Sequence, residues 1–281
     1  MRRLPRTAGI DRTRWRLTDL LGCLPGWRLP TPQGLGRVLA RLGLSYQRGR
    51  SHIHSPDPAY VGKVAAVQAA VRTARDDPAQ VLLFLDEMTL YRQPTLAPAW
   101  EARGRTQPRA ERSQRADTPI RILGALDATT GQVQMRRADR CSVEMLVGFL
   151  GHLAAAYPGQ HLAVVLDNWP VHFHPDVLCA LEPQTSPFPL RGAANWSTVP
   201  SPQARRRWGD WALPIQLVQL PSYAPWTNPI EKVWRKLRQD LGHLHPYADD
   251  LPTLRARIDA WFAPYQQPSP ALLRYVGLMP N

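Results

Sequence analysis

Three acidic residues stand where an α/β fold concentrates its chemistry. Asp86 closes an apolar run in VLLFLDE, Asp167 closes another in LAVVLDN, and Glu231 lies early in a helical pattern that follows IQLVQL, in PSYAPWTNPIEKVW. In open α/β sheets ligand sites collect at the carboxyl ends of strands, so two strand-end aspartates are expected to converge. Such an oxygen cluster suits Mg²⁺ or Mn²⁺, hard cations that take carboxylates and water. Two such ions can flank a phosphate during in-line displacement.

Each acid also has a plainer reading. VLLFLDE matches the strand-plus-acid pattern of a nucleotide hydrolase, but the matching GxxxxGK[ST] loop is missing: Gly62-Lys63 is followed by Val64, with Asp57 where the first glycine belongs. Glu231 stands three residues after Asn228 and could close a capping box with it. Arg235 and Arg238 lie beside Glu231 on the helix, as in an ordinary ion pair or a basic face around an acid. Glu87 should point away from Asp86 across an extended strand, and Asp127 belongs to the turn DATTG. His172, His174, His243 and His245 lack cysteine partners and HExxH spacing, so zinc is not expected.

The positioning elements follow from periodicity. Residues 81–85 and 161–166 read as strands buried on both faces, 120–126 as a strand that turns at 127–131 into a partner, and 215–220 as a further strand. Ser142 caps a helix, and another runs from Pro229 to about Gly242. The expectation is an α/β fold, a mixed sheet flanked by helices over 80–265, with a tail over 266–281. Between Glu182 and Pro214 six prolines, Arg205, Arg206, Arg207, Trp208 and Trp211 read as an insertion loop that buries little. Arginine interleaved with tryptophan would suit phosphate contact and base stacking.

The chain carries +13 over 281 residues, nearly all from arginine, so polyanions are the favoured partners. Residues 1–56 contribute +9 of that charge. Asp11–Leu24 reads as one helix; Thr31 and Pro32 open a second, whose Leu35, Val38, Leu39 and Leu42 form an apolar stripe opposite Gln33, Arg37 and Arg41. This pair suits a small all-α helix-turn-helix, winged-helix-like module over 1–50, with Arg48 and Arg50 as further DNA contacts, followed by a linker and helix over 51–79. Three scattered cysteines and no long apolar run argue for the cytoplasm and against a membrane.

RVLARLGLSYQRGR, VLLFLDE, LDNWPVHFHPD and LPSYAPWTNPIEKVWRKLRQDL together resemble the DDE transposases of bacterial insertion sequences, in the mariner superfamily and its insertion-sequence 630 group. The resemblance implies an RNase H-like domain preceded by helix-turn-helix modules, with Asp86, Asp167 and Glu231 as catalytic residues holding two Mg²⁺ or Mn²⁺ ions. It also implies double-stranded DNA as partner, both terminal inverted repeats and target, a homodimer on that DNA at the nucleoid, and contacts from Lys232 and Arg235. Two departures stand out. The residues before Gln47 leave room for one helix-turn-helix, or a remnant, where the family commonly has two, and 63 residues separate Asp167 from Glu231, more than is typical. A catalytically silent DNA-binding repressor and a structure-directed nuclease of the same fold remain alternatives.

Overall fold

The computed structural model describes residues 5–27, 29–46, 54–104 and 106–280. The chain divides into two compact units, Met1–Ile53 and His54–Asn281. Arg48 and Arg50 lie outside the described residues.

In the first unit, helices α1 (Leu17–Cys23) and α2 (Pro32–Arg41) pack together. The first is shorter than its expected span over Asp11–Leu24 because the Asp19 carboxylate accepts the Arg16 backbone N–H at 3.4 Å and caps the helix there. The second begins as the sequence dictates: Thr31 Oγ1 accepts the Gly34 N–H at 3.1 Å, Pro32 occupies the first turn, and Gly43 follows the end at a φ of 74°. Leu35 is fully buried, while Gln33, Arg37 and Arg41 are exposed.

In the second unit, helix α3 (Tyr60–Asp76) leads into a five-stranded sheet in the order β3-β2-β1-β4-β5. Its strands are β1 (Gln80–Tyr91), β2 (Pro119–Asp127), β3 (Val133–Ala138), β4 (His161–Leu166) and β5 (Ile215–Gln219). The β1–β2 and β2–β3 pairs are antiparallel, whereas β1–β4 and β4–β5 are parallel, giving the expected mixed sheet. Side-chain alternation divides β1 between two cores. Leu82 and Phe84 face α3 together with α7 (Ile230–Leu237), α8 (Leu251–Phe262) and α9 (Pro270–Val276). Val81, Leu83 and Leu85 face α4 (Val143–Ala156), α5 (Pro175–Leu178) and α6 (Pro202–Trp208). Ser142 caps α4 through the Met145 N–H at 3.2 Å, as expected.

Three expectations need correction. The first strand does not end at Asp86: antiparallel pairing with β2 carries it on to Tyr91. Residues 266–281 are not a tail, since Leu272, Leu273 and Val276 of α9 are buried. Nor is 182–214 a loop that buries little. It contains α6, buries Ala204 and Trp208, and ties itself to β5 through Gln184, which donates to the Ile215 carbonyl and accepts the Leu217 N–H, each at 2.8 Å. Prolines hid this: Pro202 opens α6 behind the Ser201 cap instead of breaking it.

Candidate active site

The sheet's uneven pairing creates the site. Parallel pairing of β1 with β4 stops at Phe84 opposite Val165, while β1 continues along β2, so Asp86 lies just past the place where β4 leaves the sheet. Asp167 is the first residue after β4. Asp86 shares the face of Leu82 and Phe84, toward α7, which carries Glu231 in its first turn.

Asn228 fixes the start of α7, though not as a capping box. Its Nδ2 donates to the Leu85 carbonyl at 3.3 Å and no side chain caps the helix, so Glu231 is not engaged in capping. Asp86, Asp167 and Glu231 line one cavity of about 510 Å³, with Asn168, Asn228 and Tyr223 on its walls. The structure therefore brings the three expected acids together.

Electrostatics mark Asp86 as short of positive charge. Burial, then the Glu231 and Glu87 carboxylates, push its carboxyl up to about 7 against the opposing hydrogen bond from Trp234. Burial also raises Glu231, with Asp167 adding to it and Arg238 and Arg235 opposing. Asp167 is moved the other way: burial alone would raise it, but His172 and the Trp169 backbone N–H together hold it below the usual range.

His172, only 1% exposed, sits between two carboxylates. Its Nε2 contacts Glu87 Oε1 at 2.9 Å, and its Nδ1 donates to the Asp167 main-chain carbonyl at 3.2 Å, with Asp167 Oδ1 3.1 Å away. An imidazolium, with a proton on each nitrogen, serves both contacts at once. Burial opposes that charge, yet the two acids push its pKa up to about 10. Glu87 thus points away from Asp86, as strand alternation demands, and acts on Asp167 through the ring.

The donor set fits a hard cation. It consists of carboxylates, one held near 7 for want of positive charge, and the buried Asn228 Oδ1, which has no partner among the described residues. Among those residues no three acidic, histidine or cysteine side chains are already gathered tightly enough to enclose an ion.

The expected DNA contacts fare unevenly. Arg205, Arg206 and Arg235 are exposed, and Trp211 is 43% exposed. Arg207 is paired with Glu144. Trp208 is 7% exposed inside the α4 core and offers no face to a base, and Lys232 Nζ donates to the Val276 carbonyl at 2.7 Å, securing the end of α9. The expectation for Trp208 fails because the 182–214 segment folds against the sheet instead of standing away from it, whereas Lys232 is half-exposed beside the helix end it secures.

Sequence reasoning missed the side chains that aim the acids. Trp234 Nε1 donates to Asp86 Oδ2 at 2.8 Å, but the sequence shows Trp234 only as part of an apolar stripe. A network on the other side joins α3 to the cavity wall. The buried Lys63 Nζ donates to Asp57 Oδ2 at 2.9 Å and to Asn168 Oδ1 at 3.2 Å, while Asp57 also accepts the Ser222 N–H at 2.9 Å. The rarity of lysine, found only at Lys63, Lys232 and Lys236 in an arginine-rich chain, was the available signal.

The model of the DDE superfamily endonuclease family matches residues 81–255. An insertion element IS630 uncharacterized 39 kDa protein of Shigella sonnei is 22% identical over 251 residues, covering 86% of this chain and 62% of the relative, so the chain spans less than two thirds of that protein. Among solved structures, the Mos1 mariner paired-end complex with Mn matches at a TM-score of 0.60 and 12% identity, over 98% of this chain and 74% of that one. The same complex with Mg matches at 0.56 and 13%, over 96% and 77%. The shared architecture makes the second unit RNase H-like, and among the described residues no helix is long and apolar enough to cross a membrane. With its three acids in one cavity at the sheet's carboxyl edge and the family match running from β1 into α8, the chain belongs to the DDE superfamily endonucleases.

Proposed function

We propose that this protein is a transposase of a bacterial insertion sequence that cuts double-stranded DNA at the element's terminal inverted repeats and joins the freed end to target DNA. The observation that carries this reading is the convergence of Asp86, Asp167 and Glu231, from β1, the end of β4 and α7, on one cavity. Asp86 and Asp167 would share two Mg²⁺ or Mn²⁺ ions, with Glu231 completing one coordination sphere. Bound there, the ions would activate an attacking oxygen and neutralise charge on the phosphate.

The chain's own residues prepare this site. Trp234 fixes one oxygen of Asp86, and His172 turns Asp167 outward while compensating its charge. Water first displaces the 3′ oxygen from phosphorus at the element's end; the resulting 3′-hydroxyl then attacks a phosphodiester of the target and displaces that strand's 3′ oxygen, so no protein nucleophile becomes covalently attached. The exposed Gln33, Arg37 and Arg41 of α2 read the repeat, and Arg205, Arg206 and Arg235 contact phosphates. The working form is a homodimer on paired ends, acting at the nucleoid.

The test is cleavage and strand joining of DNA carrying the inverted repeats that flank the gene, with Mg²⁺ or Mn²⁺, beside scrambled DNA of equal length. Asp86→Asn, Asp167→Asn and Glu231→Gln should each abolish cutting and the rise in melting temperature that Mn²⁺ gives the wild type, while repeat binding persists. Equal cutting of scrambled DNA would turn the reading into a structure-directed nuclease. Binding without cutting would turn it into a repressor.

A further inference from the structure

Tyr223 is a strained residue on the wall of the carboxylate cavity. Its φ is 54°, a left-handed conformation that bulky residues rarely adopt. Its neighbours hold it there: the Ser222 N–H donates to Asp57, the Ser222 carbonyl accepts the Ser55 hydroxyl at 2.5 Å, and Pro221 and Ala224 are buried. The fold pins the backbone on both sides, yet the Tyr223 side chain is not tucked away, since the residue is 78% exposed. Strain at a large exposed ring gains nothing for packing.

A second ring stands on the same cavity. Trp169 is 37% exposed, its N–H donates to Asp167 Oδ1 at 2.9 Å, and its indole meets the His172 ring edge-on at 5.4 Å between centroids. Trp169 also borders a neighbouring depression that shares Asp86 and Asp167 and is lined further by Glu87, Arg121 and Arg140. The two sides differ in chemistry. The arginines suit the anionic backbone of a strand, while Tyr223, Trp169 and the apolar Leu220, Pro221 and Pro225 suit a flat, uncharged ring.

We propose that Trp169 and Tyr223 form a stacking site for one unpaired nucleobase beside the carboxylates, with the adjoining phosphate directed toward Arg121 and Arg140. This rests on the reading of the chain as a DNA-cutting enzyme and adds to it a stated substrate form: DNA locally opened at the cut. The role expected of Trp208 and Trp211 in the 182–214 segment thus passes to two residues outside it.

The experiment compares a fully paired duplex with the same duplex ending in a short unpaired thymine arm, both bound by the full chain. Wild type should prefer the armed duplex about tenfold, the effect of one stacked base. Arm thymines replaced by 5-iodouracil should cross-link on irradiation to Trp169 or Tyr223, located by mass spectrometry. Trp169→Ala and Tyr223→Ala should bring the preference toward one, and Tyr223→Phe should keep it. Tyr223→Gly should lose the preference while raising the melting temperature, because glycine adopts this φ without strain; a merely structural tyrosine would instead lower it.

Equal affinity of the wild type for both duplexes, a preference that survives both alanine variants, or cross-links only elsewhere would overturn the proposal. If DNA is cut in Mg²⁺ but no arm preference exists, only the stacking site falls. If the ring-dependent preference is found and no DNA is cut, the stacking site stands and the enzymatic reading falls. A chain that binds neither duplex removes both.

Discussion

Trp234 reaches Asp86 across a residue that has no side chain. Gly124 on β2 is the cross-strand partner of Asp86, and a Cβ placed there would overlap the Trp234 indole, whose Nε1 holds Asp86 Oδ2 at 2.8 Å. The strand pair, the glycine and the helix together set the direction of one carboxylate.

Two substitutions separate packing from aim. Gly124→Ala should displace the indole, lowering stability by about 1–3 kcal/mol through overpacking and cutting activity with it. Trp234→Phe removes the donor while keeping most of the buried ring. Its activity should fall about 10–100-fold, the usual cost of losing a group that orients a ligand, with a smaller change in melting temperature. Equal activity of Trp234→Phe and wild type would show that Asp86 needs no such anchor.

His172 predicts a pH dependence of stability with a definite sign. The ring titrates near 6.5 when unfolded and near 10 when folded, so the native state keeps its proton over that interval. Its stabilising contribution is complete below 6.5 and is lost as pH rises through about 10. His172→Gln cannot donate to Glu87 and Asp167 from opposite edges of one ring. It should melt lower at pH 7 and show a shallower decline toward pH 10 than wild type. Parallel melting profiles would mean that the ring is not an imidazolium.

Asp57 predicts the opposite sign at the acid end. Burial alone would raise its pKa, but the Ser222 N–H, the Lys63 ammonium and the Ala59 N–H prevail and bring it from 3.8 down to about 2. Its contribution is present above 3.8 and disappears as pH falls toward 2; the shift corresponds to about 2 kcal/mol. Asp57→Asn should therefore lower the melting temperature near pH 6 and narrow its gap from wild type below pH 3. Because Lys63 also holds Asn168, the variant should reduce cleavage at neutral pH as well.

What the sequence disclosed and what it hid divide along physical lines. The three acids were legible because each sits at a change of pattern, an apolar run giving way to an acid or an acid opening a helix. The strands were legible from apolar runs, and α2 from its threonine cap and following proline. The length of β1 was not, because MTLY is paired by β2, a strand 28 to 34 residues away at that register. Orienting contacts were hidden for the same reason. Trp234, His172 and Lys63 act on residues 148, 85 and 105 positions distant, and nothing local distinguishes a core tryptophan from one that also donates to a carboxylate.

The 182–214 segment gives the sharpest reversal and its own test. Proline content and missing periodicity predict a segment removable at little cost, yet Trp208 is packed with the α4 residues and with Ile215 and Leu217 of β5, and Gln184 satisfies two backbone groups of that strand. Deleting the segment would expose this core and leave the edge strand's N–H and C=O groups without those partners. Trp208→Ala should cost about 3–5 kcal/mol, the range for truncating a large buried aromatic, whereas Trp211→Ala, at a half-exposed position, should cost much less. Thermal or urea denaturation of the two variants decides the matter without DNA. Near-equal stability of wild type and Trp208→Ala would return the segment to the status of a spacer. A large loss confined to Trp208 would show that an arginine-rich, proline-rich stretch can be a structural strap for the sheet edge while presenting Arg205 and Arg206 on its outer side.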